Sequence, residues 1–455
     1  VFNAVEIGEP LLSSDPIAMC ELLVGLGEVT VLAVTDPGDR LRVTIETRAQ
    51  RPRCPHCQAP VVVKDRDTVE LTDLPCFGQP AVLVWRKTRW RCRQGCGSFT
   101  EQAPGIAAAR LRITDRAARW ATVQVGRHGR SVSEVACDLG CGWHTVMDAV
   151  AAYGQVLIDD PGRFGDVAAL GLDETLRCRL GPWRRQQWTT QIVDVQAGQL
   201  LDVVEGRSAQ GPIGWLADRP QEWLDQIEWA TLDLSGPYRK VFDTMLPHAT
   251  QVADPFHLVK LANSKLDECR RRVQNDTMGH RGRKNDLLYR ARRLLTRAHE
   301  RLDPRGNDKL VGLLRAGDPR GEVKMAWHAK EVVRSIYEID DCALADEFVA
   351  QLAADLQDDS CPPEVNSLGR TIARWRHQIV AWHRTRVSNG PTEAVNNLVK
   401  RIKRVAFGIT NFRNYRIRAL LYAGRPNWDL IATIRPRSTA KRRIRCPGNR
   451  VNSSW

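Results

Sequence analysis

The sequence predicts a multidomain α/β protein, and three observations carry that expectation. Two cysteine pairs, Cys54-x-x-Cys57 and Cys92-x-x-x-Cys96, stand in the first quarter of the chain. Three short helical patterns follow between residues 112 and 157. From Val167 on, strand-like runs alternate with helical ones, then give way to a long helical stretch that ends in Arg386–Gly408, RVSNGPTEAVNNLVKRIKRVAFG.

Composition sets the bounds. A chain of 455 residues accommodates roughly two to four domains. No run approaches the ~18 apolar residues of a membrane span. The opening VFNAVEIGEPLLSS has no basic region followed by an apolar core, so no signal peptide is expected. The net charge is +14, and from Ala394 to Trp455 there are 15 lysines and arginines against one acid, Asp429. The whole excess therefore lies in the last helices and the tail. A polyanion is the expected partner, and nucleic acid rather than membrane, since no lipid-anchoring pattern accompanies the charge. Thirteen cysteines, an odd number, argue for a reducing cytoplasm with some thiols on metal rather than a disulfide framework.

Residues 1–47 form a lead-in, with a short helix expected at Ile17–Leu26 and strands at Thr30–Val34 and Leu41–Thr47. In residues 48–104 the cysteine pairs read as two knuckles on hairpin tips. Cys54, Cys57, Cys92 and Cys96 close a tetrahedral thiolate site of the kind that holds structural Zn²⁺, with His56 and Cys76 as rival ligands. Strand-like runs at Ala59–Lys64 and Ala81–Thr88 make this a zinc ribbon. Trp85, Arg86, Lys87, Arg89, Trp90, Arg91 and Arg93 suit contact with a DNA backbone. Residues 105–160 hold helices at Asp115–Val125, Ser131–Leu139 and Trp143–Tyr153. Ser131 with Glu134 is a capping box, and Gly140-Cys141-Gly142 a turn. This is a helix-turn-helix pattern, with His144 and Thr145 of its last helix facing a major groove; an ordinary helical hairpin is the plainer alternative.

After the Pro161–Gly165 linker come strands at Val167–Asp173, Trp188–Asp194 and Leu200–Val204, and a helix at Ala209–Ala217. A strand at Ile227–Leu232, a helix at Tyr238–Leu246 and a strand at Thr250–Ala253 complete the run. Three strands, helix, strand, helix, strand is the order of a ribonuclease-H-like fold. There the first and fourth strands lie side by side, so Asp173 and Asp233 are expected to meet at their carboxyl ends, where metal-binding carboxylates converge. Residues 166–257 form the first part of this core and 258–385 an all-α insertion, interrupted by a loop at Asp358–Pro363. Residues 386–433 return to the core, and 434–455 are a basic tail.

The last core segment reads as a helix opening at Gly390-Pro391. Val395, Leu398, Ile402 and Val405 make an apolar stripe, while Glu393, Asn397, Lys400 and Arg404 fall on another face. A lone acid over a basic track suits a metal site beside a phosphate path. A surface helix with a dipole-favoured first-turn Glu is the plainer reading.

Together these residues resemble the DDE transposases of bacterial insertion sequences, specifically the ISL3 family, over nearly the whole chain. The markers are Cys54-Pro-x-Cys57 with Trp90-x-Cys92-x-x-x-Cys96, Gly171-Leu-Asp173-Glu174, Asp233-Leu-Ser-Gly-Pro-Tyr238, and Val252-Ala-Asp254-Pro-Phe-His257 running on to Lys260 and Asn263. Glu393-Ala-x-Asn396-Asn397, Phe407-Gly408 and Asn411-Phe412-x-Asn414-Tyr415 complete them. The resemblance implies a zinc ribbon plus helix-turn-helix followed by a ribonuclease-H-like catalytic core with an all-α insertion. It implies a catalytic triad of Asp173, Asp233 and Glu393, which hold Mg²⁺ (or Mn²⁺), with Asp254 and His257 in support. Asp254 is the rival for the second position if the strands are miscounted, and Glu174 for the first. Lys400, Lys403 and Arg404 are expected along the DNA backbone, with Arg91, His144 and Thr145 on the recognition side. The expected partners are double-stranded DNA (terminal inverted repeats and target) and a second copy of the chain, in a bacterial cytoplasm on the nucleoid. Two other functions compete: a non-catalytic sequence-specific DNA-binding protein (a repressor or domesticated transposase), and a ribonuclease-H-like nuclease without strand transfer.

Overall fold

A computed structural model describes residues 15–48 and 51–436. It divides into two compact units: the chain up to Arg163 together with the segment from Pro426 on, and Phe164–Arg425. The tail expected from residue 434 lies outside the described residues beyond 436, as do residues 1–14.

The first unit opens with α1 (Pro16–Val24), capped by the Asp15 carboxylate, which accepts from the Ile17 and Ala18 amides. Then come β1 (Val29–Thr35), β2 (Leu41–Thr47), β3 (Val61–Cys76), β4 (Gln79–Cys92) and β5 (Ser98–Thr100), in a sheet ordered β1-β2-β4-β3 with β5 on β4. The two short ribbon strands expected here are in fact one long hairpin. Lys64-Asp65-Arg66-Asp67 hides β3 from any apolar alternation; cross-strand pairs such as Arg89 with Asp65 at 3.2 Å run along it instead. Phe77 and Gly78, at φ 48° and 84°, make the turn, as a two-residue hairpin with both centres left-handed requires. Val29, Val31, Ile45, Leu71, Leu83 and Trp85 form the core of this sheet.

Three helices follow: α2 (Asp115–Gly126), α3 (Val132–Asp138) and α4 (Trp143–Ile158). The capping box is present, with the Glu134 amide donating to Ser131 Oγ at 3.1 Å and the Ser131 amide to Glu134 Oε2 at 2.9 Å. Gly140 turns the chain at φ 61°, where an added Cβ would lie 2.6 Å from Pro80. Ala117, Ala121, Val135, Val146, Val150 and Tyr153 are fully buried, and Tyr153 donates to Asp115 Oδ1 at 2.7 Å. The segment after Pro426 returns to pack its 3-10 turn, Trp428–Ala432, on α4.

The second unit is built on β6 (Ala169–Leu180), β7 (Arg185–Asp194), β8 (Gln199–Glu205), α5 (Gln210–Ala217), α6 (Gln221–Asp225), β9 (Trp229–Leu232), α7 (Gly236–Met245) and β10 (Thr250–Ala253). The strand order is β10-β9-β6-β7-β8. β9 is parallel to both β6 and β10, while β6, β7 and β8 are antiparallel. The first and fourth strands are therefore neighbours, as the ribonuclease-H-like order requires. One expectation is corrected: β6 does not end at Asp173 but runs on to Leu180, because it continues its pairing with β7. Its inward residues there are Thr175 and Arg177, both buried, so the extension lacks a hydrophobic signature. The five-residue α6 is too short to show a period and was not expected.

The insertion comprises α8 (Pro255–Met278), α9 (Leu287–Leu295), α10 (Pro304–Gly317), α11 (Glu322–Ser335), α12 (Cys342–Asp355) and α13 (Pro363–Thr385). It is not a separate lobe. Leu170, Leu172 and Leu232 of the sheet belong to one continuous apolar core with Leu258, Leu266, Val349 and Ile379 of the insertion, and α13 packs along β10. The chain closes with α14 (Gly390–Val405) and α15 (Phe412–Ala423). The apolar stripe expected on α14 is rotated. Its buried residues are Thr392, Val395, Asn396, Val399 and Ile402, while Leu398 is 39% exposed. Two polar residues face inward, and a hydrophobic scan passes over them.

Candidate active site

Asp173, Asp233 and Glu393 come to one pocket of about 600 Å³ from three elements. Asp173 lies within β6 one residue beyond the last parallel pair, Leu172 with Leu232, and Asp233 follows β9 directly. Glu393 stands in the first turn of α14. That helix comes down on β6 at Gly171, where a Cβ would sit 2.3 Å from Thr392 Oγ1; only a glycine admits the helix here. Glu174, Leu234, Ser235, His257, Lys260, Asn397 and Lys400 complete the lining.

Four carboxylates share the pocket with two lysines and an imidazole. Burial, and then the neighbouring Asp233 carboxylate, push the Asp173 carboxyl up to about 6. Its Oδ1 accepts the Glu174 amide at 2.6 Å, and its Oδ2 accepts the Asn396 side-chain amide. His257 is wedged among the acids. Its Nδ1 donates to Asp233 Oδ1 at 2.9 Å and Asp254 Oδ2 at 3.0 Å, and its Nε2 stands 3.8 Å from Glu393 Oε1. Burial would lower the imidazole's pKa, but the bonds to Asp233 and Asp254 outweigh it and raise it to about 10.

Asp254 is the buried N-cap of α8, and both its oxygens are engaged. Oδ2 takes the His257 amide and ring, and Oδ1 the Asn389 amide at 2.9 Å. It lies behind the pocket wall rather than in its lining. Glu174 is held by the Tyr238 hydroxyl at 3.1 Å. Of the expected cations, Lys400 lines the pocket and Arg404 is exposed. Lys403 is occupied elsewhere: its ammonium donates to the Leu176 carbonyl and ties α14 to β6.

Sequence reasoning assigned no role to Asn389 or Asn396. Asn389, the N-cap residue of α14, is fully buried, and its side chain makes no cap bond to that helix. Its Nδ2 donates to Asp233 Oδ1 at 3.1 Å, and its Oδ1 accepts from Thr231 at 3.0 Å. An asparagine before Gly-Pro reads as a helix start. Only the fold reveals that its amide turns to the aspartate instead.

The four cysteines of the first unit form the tighter cluster. Sγ atoms of Cys54, Cys57, Cys92 and Cys96 all lie within 4.8 Å of one another. Among the described residues this is the one group of three or more potential metal ligands drawn so close, and neither His56 nor Cys76 belongs to it. The acids of the pocket are not drawn to that spacing. Backbone amides of Cys96 and Gln94 aimed at the Cys92 sulfur hold its thiol down at about 6, which favours the thiolate a metal needs. Arg91 beside this knuckle is exposed, as is His144 at the start of α4; Thr145 is half-buried.

Comparison with known proteins identifies the chain's three parts. A family described as a transposase of the ISL3 type matches residues 170–419. The zinc-finger of transposases IS204/IS1001/IS1096/IS1165 matches residues 50–96, and the helix-turn-helix domain of ISL3 transposases residues 101–154. The transposase for insertion sequence element IS1001 of Bordetella parapertussis is 25% identical over 399 residues, 84% of this chain and 92% of that protein. The transposase for IS1557 of Mycobacterium tuberculosis is 28% identical over 291 residues, 58% of this chain and 62% of that one. A solved Drosophila P element transposase strand transfer complex aligns over 70% of this chain and 94% of its own at 9% identity, with a TM-score of 0.37, a likeness that decides nothing. With its core matched over more than half its length and both accessory domains matched ahead of it, the chain belongs to the ISL3 family of transposases.

Proposed function

We propose that the chain binds the terminal inverted repeats of an insertion sequence, cuts the DNA strand at their boundary and joins the freed end to target DNA. The observation that carries this is the pocket itself: Asp173, Asp233 and Glu393 from three separate elements, flanked by Lys260 and Lys400. Three hard oxygen donors that repel one another, one of them with its pKa raised by burial and then by that repulsion, fit Mg²⁺ or Mn²⁺. When bound, such ions would neutralise the acids, activate the attacking hydroxyl and stabilise the leaving 3′-oxygen. Asp173, Asp233 and Glu393 would hold them.

The remaining residues set up the substrate. Lys260 on α8 and Lys400 on α14 offer ammonium groups to the phosphates entering the pocket. His257 bonds Asp233 and Asp254 through one nitrogen and turns the other toward Glu393. Arg404 extends the cationic track along α14. In the first unit Cys54, Cys57, Cys92 and Cys96 would hold Zn²⁺, with His144 and Thr145 on α4 reading bases and Arg91 contacting the backbone. Two transposon ends call for two copies of the chain, acting where the bacterial DNA lies.

The test is cleavage of a duplex that carries the element's own flanking repeat, with Mg²⁺, by wild type and by Glu393→Gln. Nicking at the repeat boundary by wild type alone supports the proposal. Tight binding without cutting by either protein would move the function to DNA binding alone. Equal cutting by both would remove Glu393 from the site.

A further inference from the structure

The exposed aromatic Phe407 has no role in the fold or in the pocket. It follows the last turn of α14 and is 99% exposed, so its ring buries nothing. Its backbone is left-handed, at φ 51°. A helix commonly ends on such a residue, but that residue is ordinarily glycine, since a bulky side chain is strained there. Here a glycine is at hand, Gly408, yet stands one position later. The chain thus holds a large apolar ring in water, in a conformation that disfavours it, next to the residue that would have relieved both.

The loop that displays this ring is anchored on each side. The Phe407 amide donates to the Arg404 carbonyl at 3.0 Å and the Gly408 amide to Lys403 at 3.3 Å. Just beyond, the buried Arg177 guanidinium donates to the carbonyls of Ile409 and Thr410 and lies over the Phe412 ring. The phenyl is therefore presented on a fixed platform. It also ends a helix whose exposed cations, Lys400, Arg401 and Arg404, lead away from the acid pocket. Phe77 and Trp183 are nearly as exposed, at 89% and 88%, but each crowns a hairpin turn, where projection follows from the turn itself.

We propose that Phe407 is a stacking residue for an unpaired DNA base. The cations of α14 track the strand by its phosphates, and the fixed ring takes the place of a neighbouring base. At about 1.5 Å per residue α14 runs about 18 Å from Glu393 to its last residue, Val405, just before Phe407, or about five nucleotides along a strand that follows it. The inference rests on the DNA reading of the core but not on its chemistry.

The probe is a short duplex of arbitrary sequence containing one 2-aminopurine opposite an abasic site, compared with its fully paired counterpart. Wild type is expected to bind the first roughly tenfold more tightly, within the range a single stacked base supplies, and to quench its fluorescence. Phe407→Ala should bring that ratio to one and abolish the quench, leaving affinity for the paired duplex and the Tm unchanged; Phe407→Trp should restore both. An unchanged ratio in Phe407→Ala, or no preference in wild type, overturns the inference while the DNA reading stands. Failure of wild type to bind either duplex overturns both.

Discussion

The cysteine cluster and the carboxylate pocket hold ligand sets in opposite ways. The four sulfurs come from two knuckles within one hairpin-based module, and backbone amides a few residues away poise the key thiol. The three carboxylates come from positions 173, 233 and 393. The two aspartates are held by side chains distant in sequence: Asn396 on Asp173, and Asn389 and His257 on Asp233. A thiolate site is specified by local spacing. A carboxylate site is specified by a tertiary frame that must be rigid before like charges can be brought together.

This contrast predicts which insults unfold and which only silence. The largest effect is expected at the cysteines. A structural zinc site contributes on the order of 10 kcal/mol to the folding of its module, so Cys92→Ser or strong chelation should unfold the ribbon, read as lost zinc stoichiometry and lost near-ultraviolet signal. A ribbon that stays folded without metal would break the comparison. Next comes Glu393→Gln, for which cleavage should fall by about a thousandfold or more, roughly 4 kcal/mol of barrier, while Tm holds or rises slightly because a repelling charge is gone. A large fall in Tm would make Glu393 structural.

Asn389→Ala should do both kinds of damage. It leaves acceptors on Asp233 and Thr231's hydroxyl without their partner, at about 2 kcal/mol of stability, and loosens the acid pocket. Calorimetry and cleavage measured together would check it; loss of one without the other would separate framing from chemistry. The smallest effect is Ser131→Ala, about 1 kcal/mol from the lost capping box, seen as a modest Tm shift with no change in cutting of DNA already bound.

The same contrast explains what the sequence disclosed. The cysteine spacing survives any detail of the strands between, so Cys54, Cys57, Cys92 and Cys96 were legible although the hairpin's length was not. Asp173 and Asp233 were legible through strand order, since β6 and β9 show continuous apolar runs. The extension of β6 past Asp173 was hidden because Thr175 and Arg177 point inward. The inner face of α14 was misread for the same reason, Thr392 and Asn396 being polar. Asn389 left no signal, and Asn396 stood only as part of a motif without a role, because what they bind is brought near only by the fold.

The helical excursion through residues 255–388 leaves the core at Asp254 and returns at Asn389, and one hydrogen bond of 2.9 Å joins its two ends. These two ends form its stem, while its helices also share the core of the sheet along their length. Lengthening or shortening at the far turns, such as those around residues 279–286 or 318–321, would leave both ends of the stem in place, and with them Asp233 and Glu393. Cutting at the stem would instead expose the apolar faces of α8 and α13 that sit on the sheet. Such a segment can diversify at its tips across a lineage without its base being lost.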